Sequence, residues 1–173
     1  MVEVAGVSSA LSYDKLVLAA GSRLVRPEIP GLKDHAFNID TIREAANLDA
    51  HLRHLFTFAT TQARNTVIIC GGGFTGIESA TELPSRLRAI LGLDTKVHVI
   101  IVELSDVIGP PLGDNVRPVN TKALEDVGVE VKLGVTIKSV DAGGIVTMAG
   151  DRIEALTEYC GYGSSSSHRA DTW

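Results

Sequence analysis

Six consecutive residues, Gly71-Gly72-Gly73-Phe74-Thr75-Gly76, lie between an apolar β-branched run and a helical stretch. A G-x-G-x-x-G at such a junction is the pattern that holds the pyrophosphate of a dinucleotide. Gly71 permits the tight turn out of the strand, Gly73 lets the backbone approach the phosphates, and Gly76 lets the helix pack against the strand. The helix that starts near Thr75 points its unpaired N–H groups and the positive end of its dipole at the same anion. The plain alternative is a glycine turn with no ligand. The strand before it and the helix after it favour the dinucleotide.

The same chemistry needs an acid at the end of the next strand, where a carboxylate accepts the adenosine ribose hydroxyls. Glu103 closes the run VHVIIV and lies 27 positions beyond Gly76, against roughly 20 in the simplest form of the pattern. An interrupted helix and the loop around Gly92 to Lys96 account for the excess. A carboxylate there repels a 2′-phosphate, and LSDVIG after it supplies no Arg or Lys, so NAD is expected rather than NADP. The alternative for Glu103 is a solvated acid at a strand end. Glu78, two residues after Gly76, has two readings: an acid complementing the helix dipole, or a group near the nicotinamide.

Other reactive side chains point to structure. His51 and His54 stand at i, i+3 on an amphipathic helix with no third ligand at metal spacing, so a solvated helix face is expected and no metal site. His98 reads as a core residue. Cys70 has no C-x-x-C partner and reads as a small buried hydrophobe. No catalytic side chain is expected, because hydride transfer is chemistry that cofactors carry.

The elements that must position these residues follow from pattern. LVLAA (16–20) reads as a buried strand closed by Gly21. Thr41 and Glu44 form a capping-box pattern ahead of an amphipathic helix over 41–57. TVIIC, VHVIIV and GVEVKLG read as strands, with helices after the glycine loop and over 114–127. Pro84 is expected to kink or interrupt the first of these helices. VTIKSV and IVTM read as a hairpin about Asp141-Ala142-Gly143-Gly144. Alternating strands and helices imply an α/β fold with a parallel sheet. The tail from Leu156 shows no period and is expected to be disordered.

Composition agrees. The 173 residues are 45% hydrophobic and 21% charged, with a net charge of −5, which excludes a basic nucleic-acid footprint. Two cysteines make no disulfide framework, which fits a reducing, cytoplasmic setting. No apolar run approaches the ~20 residues of a membrane span, and the start lacks the plan of a signal peptide.

With the glycine motif placed, YDKLVLAAGS (13–22), PEIPGL (27–32) and TVIICGGGFTGIESATEL resemble the two-dinucleotide flavoproteins of the pyridine nucleotide-disulfide oxidoreductase superfamily. LEDVGVEVKLGVTIKSVDAGGIVTMAGDRIEA is similar to the same superfamily's NAD domain with its β-meander. The lack of a redox disulfide, Glu103 and the ELPSRLR run are most similar to type II NADH dehydrogenases. The resemblance implies a Rossmann-like domain with helices on both faces, over 61–157, and a partial FAD-domain segment with a linker helix over 1–60. It implies that NADH reduces FAD, which passes electrons to a quinone or another acceptor, at the cytoplasmic face of a membrane. Carried over by position, the cofactor-binding residues are Gly71, Gly72, Gly73, Phe74, Thr75, Gly76, Glu78 and Glu103 for NAD(H), with Ala20 and Gly21 approaching the flavin. The motif for the FAD pyrophosphate and the quinone site are not matched, and family sequence is expected to stop near residue 158. A truncated or frame-shifted fragment is therefore expected, with an aberrant tail over 158–173. The alternative is an NAD-binding module without flavin or turnover.

Overall fold

The structure, a computed structural model, describes residues 2–10, 12–15, 17, 27–110 and 113–160. The expected strand over 16–20, with Ala20 and Gly21, lies almost wholly outside the described residues. In chain order the elements are β1 (Val2–Val4), β2 (Val7–Ser9), α1 (Leu32–His35), α2 (Ile42–His54), β3 (Thr66–Cys70), α3 (Phe74–Leu91), β4 (His98–Val102), α4 (Arg117–Val127), β5 (Val129–Lys132), β6 (Ile137–Asp141), β7 (Gly144–Thr147), β8 (Arg152–Glu154) and β9 (Thr157–Cys160).

The centre is a parallel sheet in the order β5-β4-β3-β9. That order reverses beside β3, and the crevice at such a reversal, above the carboxyl ends of the strands, is where open α/β sheets bind ligands. β3 is buried along its whole length, with Val67, Ile68 and Ile69 at 0% exposure. Each such side chain contributes about 1.5–3 kcal/mol. Its odd and even residues serve different layers. Val67 and Ile69 join Val99, Ile101 and Tyr159 against α2, α3 and α4, while Ile68 and Cys70 join Ile100, Val102 and Cys160 against the antiparallel meander β6-β7-β8. Of the helices expected on both faces, the three longer ones share one face. The meander and the single-turn α1 cover the other.

Local chemistry explains several element ends. The Thr41 hydroxyl accepts from the Glu44 N–H at 3.2 Å, which caps α2. The Glu44 carboxylate accepts from the Thr41 hydroxyl and the Asn38 amide. Helix α2 ends at His54, and Leu55–Thr57 completes the expected span as a 3₁₀ turn. Asp141 accepts from Gly143 N–H at 2.8 Å and from Arg152, so one carboxylate fixes the β6–β7 turn and ties it to β8. Arg152 holds that carboxyl well below the usual range.

Two expectations are corrected. Helix α3 is continuous through Pro84, so the interruption expected there, the alternative to a kink, does not occur. A proline inside a helix costs roughly 3 kcal/mol, but Leu83, Pro84 and Leu87 are all buried against the sheet, and the two leucines alone offset that cost at about 1.5–3 kcal/mol each. The start of the expected tail is also ordered. Thr157–Cys160 forms β9, buried throughout and paired in parallel with β3 from Val67↔Thr157 to Cys70↔Cys160. Phe37 pairs with the outer edge of this strand through Phe37 N–H to Glu158 C=O at 2.8 Å and Cys160 N–H to Phe37 C=O at 3.0 Å. Residues 161–173 lie outside the described residues.

His51 is corrected as well. Its Nε2 lies 2.9 Å from both the Leu156 carbonyl and the Thr157 hydroxyl, and its ring stacks on Phe37. Burial pushes its pKa below the ordinary histidine value. This imidazole joins α2 to the start of β9 rather than facing solvent. Among the described residues no helix is long and apolar enough to cross a membrane.

Candidate dinucleotide site

Every part of the glycine loop has a local cause. Gly71 leaves β3 at φ 104°, a left-handed conformation that side chains rarely adopt. A Cβ at Gly76 would overlap the Gly71 carbonyl oxygen, so a side chain there would force the helix away from the strand. Gly73 differs: it is the N-cap of α3, and a Cβ on it would meet nothing within 4 Å. Among Gly72, Gly73 and Gly76, the open space is therefore at Gly73.

Helix α3 begins without a side-chain cap. Its first internal acceptance is Ile77 N–H to Gly73 C=O at 3.0 Å, so the N–H groups of Phe74, Thr75 and Gly76 have no partner within the helix and face out of its N-terminus. Phe74 and Thr75 are exposed, while Gly76 is buried under them. Glu78 is exposed one turn further on. The structure brings it to the same helix end and gives it no partner that separates its two readings.

Glu103 follows β4 directly and bends back over the loop. Its Oε2 accepts from Gly72 N–H at 2.6 Å and its Oε1 accepts from Ser105 N–H at 2.7 Å. The strand-end acid is thus held beside the glycine loop, and it is not a freely solvated side chain. A carboxylate offers about four lone-pair sites, so two backbone donors leave capacity for a diol. The segment after Glu103 closes on the loop from the other side, with Gly109 N–H donating to the Gly72 carbonyl at 2.8 Å and Ile108 buried against Gly72. Ser105, Ile108 and Gly109 were not singled out in the sequence. The middle glycine, for which the motif itself has no need, is the signal that could have found them.

Cys70 is buried, as expected, but it is not alone. Cys160 stands opposite it across the β3–β9 pair, and neither cysteine is in a disulfide. The hydrogen bond between the thiols and burial both raise the Cys70 pKa well above its ordinary value, which makes it a poor nucleophile. Among the described residues no group of three or more His, Cys, Asp or Glu could hold a metal. A cleft of about 570 Å³ lies elsewhere, between the end of β5 and the meander. Its basic side chains Lys132 and Arg152 are paired with Glu130 and Asp141.

Known proteins resemble this chain in sequence and in fold. An NADH dehydrogenase-like protein of Mycobacterium tuberculosis is 40% identical over 151 residues, covering 86% of this chain and 38% of that relative. A type II NADH:quinone oxidoreductase of Staphylococcus haemolyticus is 33% identical over 153 residues, covering 83% of this chain and 38% of its own length. The chain therefore spans about two fifths of the relatives it matches. In fold it resembles NDH2 of Plasmodium falciparum in complex with NADH, with TM-score 0.68, 15% identity and coverage of 83% of this chain and 33% of that one. It also resembles the water-forming NADH oxidase of Lactobacillus brevis bound to NADH, with TM-score 0.64, 23% identity and coverage of 88% and 31%. The family profile matches residues 2–170, so the similarity does not stop near residue 158. By that match, the chain belongs to the pyridine nucleotide-disulphide oxidoreductase family.

Proposed function

We propose that this chain carries the NADH-binding part of an FAD-dependent NADH oxidoreductase of the NADH:quinone type. The observation that carries the reading is the pairing of an open Gly73 with a preset Glu103 at the point where the strand order reverses. In this reading the N–H groups at the start of α3 take the pyrophosphate, and Gly73 admits it. Glu103 accepts the ribose hydroxyls and repels a 2′-phosphate, which selects NADH. Phe74 and Thr75 border the same space, and Glu78 stands toward the nicotinamide. Buried β3 and β4 fix these groups before the cofactor arrives, so little ordering entropy is lost on binding. Flavin, when bound, supplies the hydride-accepting chemistry. Ala20 and Gly21 belong to that side of the proposal, as does a peripheral place on the cytoplasmic membrane face with a quinone or other acceptor. Residues 1–60 would then serve the flavin domain and 61–157, extended through β9, the nucleotide domain.

A second reading is an NAD-binding module without flavin or turnover. It is favoured by the fact that every described element of the cradle comes from residues 66–109. Purified protein separates the two. Visible flavin absorbance that NADH bleaches supports the first, and colourless protein that changes NADH fluorescence supports the second. Protein that binds neither overturns both.

A further inference from the structure

Gly72 occupies a position of the glycine motif that the phosphates do not require, yet it is crowded where Gly73 is open. Its N–H donates to Glu103 Oε2 at 2.6 Å, and its carbonyl accepts from Gly109 N–H at 2.8 Å. A Cβ built on it would stand 2.5 Å from Ile108 Cδ1, 3.3 Å from Glu103 Oε2 and 3.4 Å from Glu103 Cβ. Gly73, the next residue, would meet nothing within 4 Å. The main chain of Glu103 has no freedom to retreat, because its N–H donates to Lys132 C=O at 2.9 Å and its carbonyl accepts from Val135 N–H at 3.0 Å. Any side chain at position 72 must therefore be accommodated by Ile108 and by the Glu103 side chain. The backbone itself does not demand glycine there, since Gly72 is absent from the positive-φ glycines.

We propose that Gly72 is a positioning residue for dinucleotide choice: the missing side chain at position 72 sets where the Glu103 carboxylate stands, and so how strongly the site prefers a free ribose 2′-hydroxyl to a 2′-phosphate. This rests on the NADH-binding reading above. The carboxylate is held from two sides, by Gly72 N–H and Ser105 N–H. Its unused lone pairs can meet a ribose diol only along the directions those two bonds leave open. A methyl group at position 72 crowds the Glu103 side chain at 3.3 to 3.4 Å, so the carboxylate must give by a few tenths of an ångström along that line.

The test uses the full chain and two variants, Gly72→Ala and the double variant Gly72→Ala/Ile108→Val, titrated with NADH and separately with NADPH. Ile108→Val removes the Cδ1 methyl that the new Cβ would strike, so the double variant relieves that clash while the Cβ still crowds the Glu103 carboxylate. A weakened bond from the shifted carboxylate to the ribose predicts an NADH affinity about fivefold weaker in both variants. NADPH affinity should change by less than about twofold, because no such bond supports it. A second readout needs no cofactor. The Gly72 amide proton, held by a carboxylate, should resonate strongly downfield in the wild type and move upfield in Gly72→Ala/Ile108→Val and in Glu103→Gln. A well-folded double variant with wild-type preference for NADH over NADPH overturns the inference while leaving NADH binding intact. Failure of the wild-type chain to bind NADH overturns the NADH-binding reading and this inference with it.

Discussion

Two glutamates stand on either side of β3, and their circumstances are opposite. Glu103 lies one residue past β4, where the strand has opened into a loop, and its carboxylate receives two backbone N–H groups. Glu158 lies inside β9, 2% exposed, and its Oε1 has no hydrogen-bond partner. Burial pushes the Glu158 carboxyl up to about 8; Asp141 also raises it, while its own N–H and the guanidinium of Arg152 oppose the rise. The difference shows that distance along a strand, not residue type, decides what a carboxylate does here. At the strand end the acid is oriented by two N–H donors. In the strand interior it is a buried polar group that the fold tolerates at a cost.

The largest expected effect tests the second half of that contrast. A carboxyl raised from 4.5 to about 8 in the folded protein keeps its proton while the unfolded chain has lost it. Stability therefore falls as pH rises from 4.5 to about 8, by about 1.4 kcal/mol per pH unit, and levels off above that. Chemical unfolding at a series of pH values should show this decline in the wild type, and Glu158→Gln should abolish it. A wild-type curve that rises across the window would mean that β9 does not bury this residue. Glu103→Ala sharpens the other half. It removes the acceptor proposed for the ribose hydroxyls, and NADH affinity should fall about tenfold or more in a fluorescence titration, while the chain stays folded.

Smaller effects mark how β9 is held. His51→Ala loses the bonds to Leu156 and Thr157 and should destabilise by about 1–2 kcal/mol, read by denaturant midpoint. A change under a few tenths would return His51 to the solvated face first expected for it. Cys70 and Cys160, both buried, should resist alkylation in native buffer and react together on unfolding. Rapid native labelling of Cys160 alone would show β9 detached from β3.

What was legible in the sequence was what short-range pattern dictates. The β-branched runs of β3 and β4, the Thr41 cap, the β6–β7 turn and the glycine loop each declare themselves within a few residues. Three features did not. β9 carries Glu158 where a buried strand calls for an apolar residue, and its partners lie some ninety positions upstream, so no local period reveals it. Pro84 reads as a breaker because its cost is local, whereas the burial that offsets it belongs to the whole of α3. His51 reads as solvated because its acceptors, Leu156 and Thr157, come from the far end of the chain. In the site itself, the reasons for Gly71, Gly73 and Gly76 were visible, but the reason for Gly72 was not. It depends on Ile108 and Gly109 folding back from beyond β4.

The central claim is that the loop after β3 is a dinucleotide cradle whose open place is Gly73. Gly73→Ala tests it most directly, because its Cβ would meet no protein atom within 4 Å and its backbone needs no left-handed conformation. An alanine at this N-cap should cost the fold at most about 1 kcal/mol. The same methyl group would occupy the space assigned to the pyrophosphate. The account predicts a near wild-type melting temperature together with NADH affinity at least about tenfold weaker. A Gly73→Ala protein that binds NADH as tightly as the wild type would contradict it.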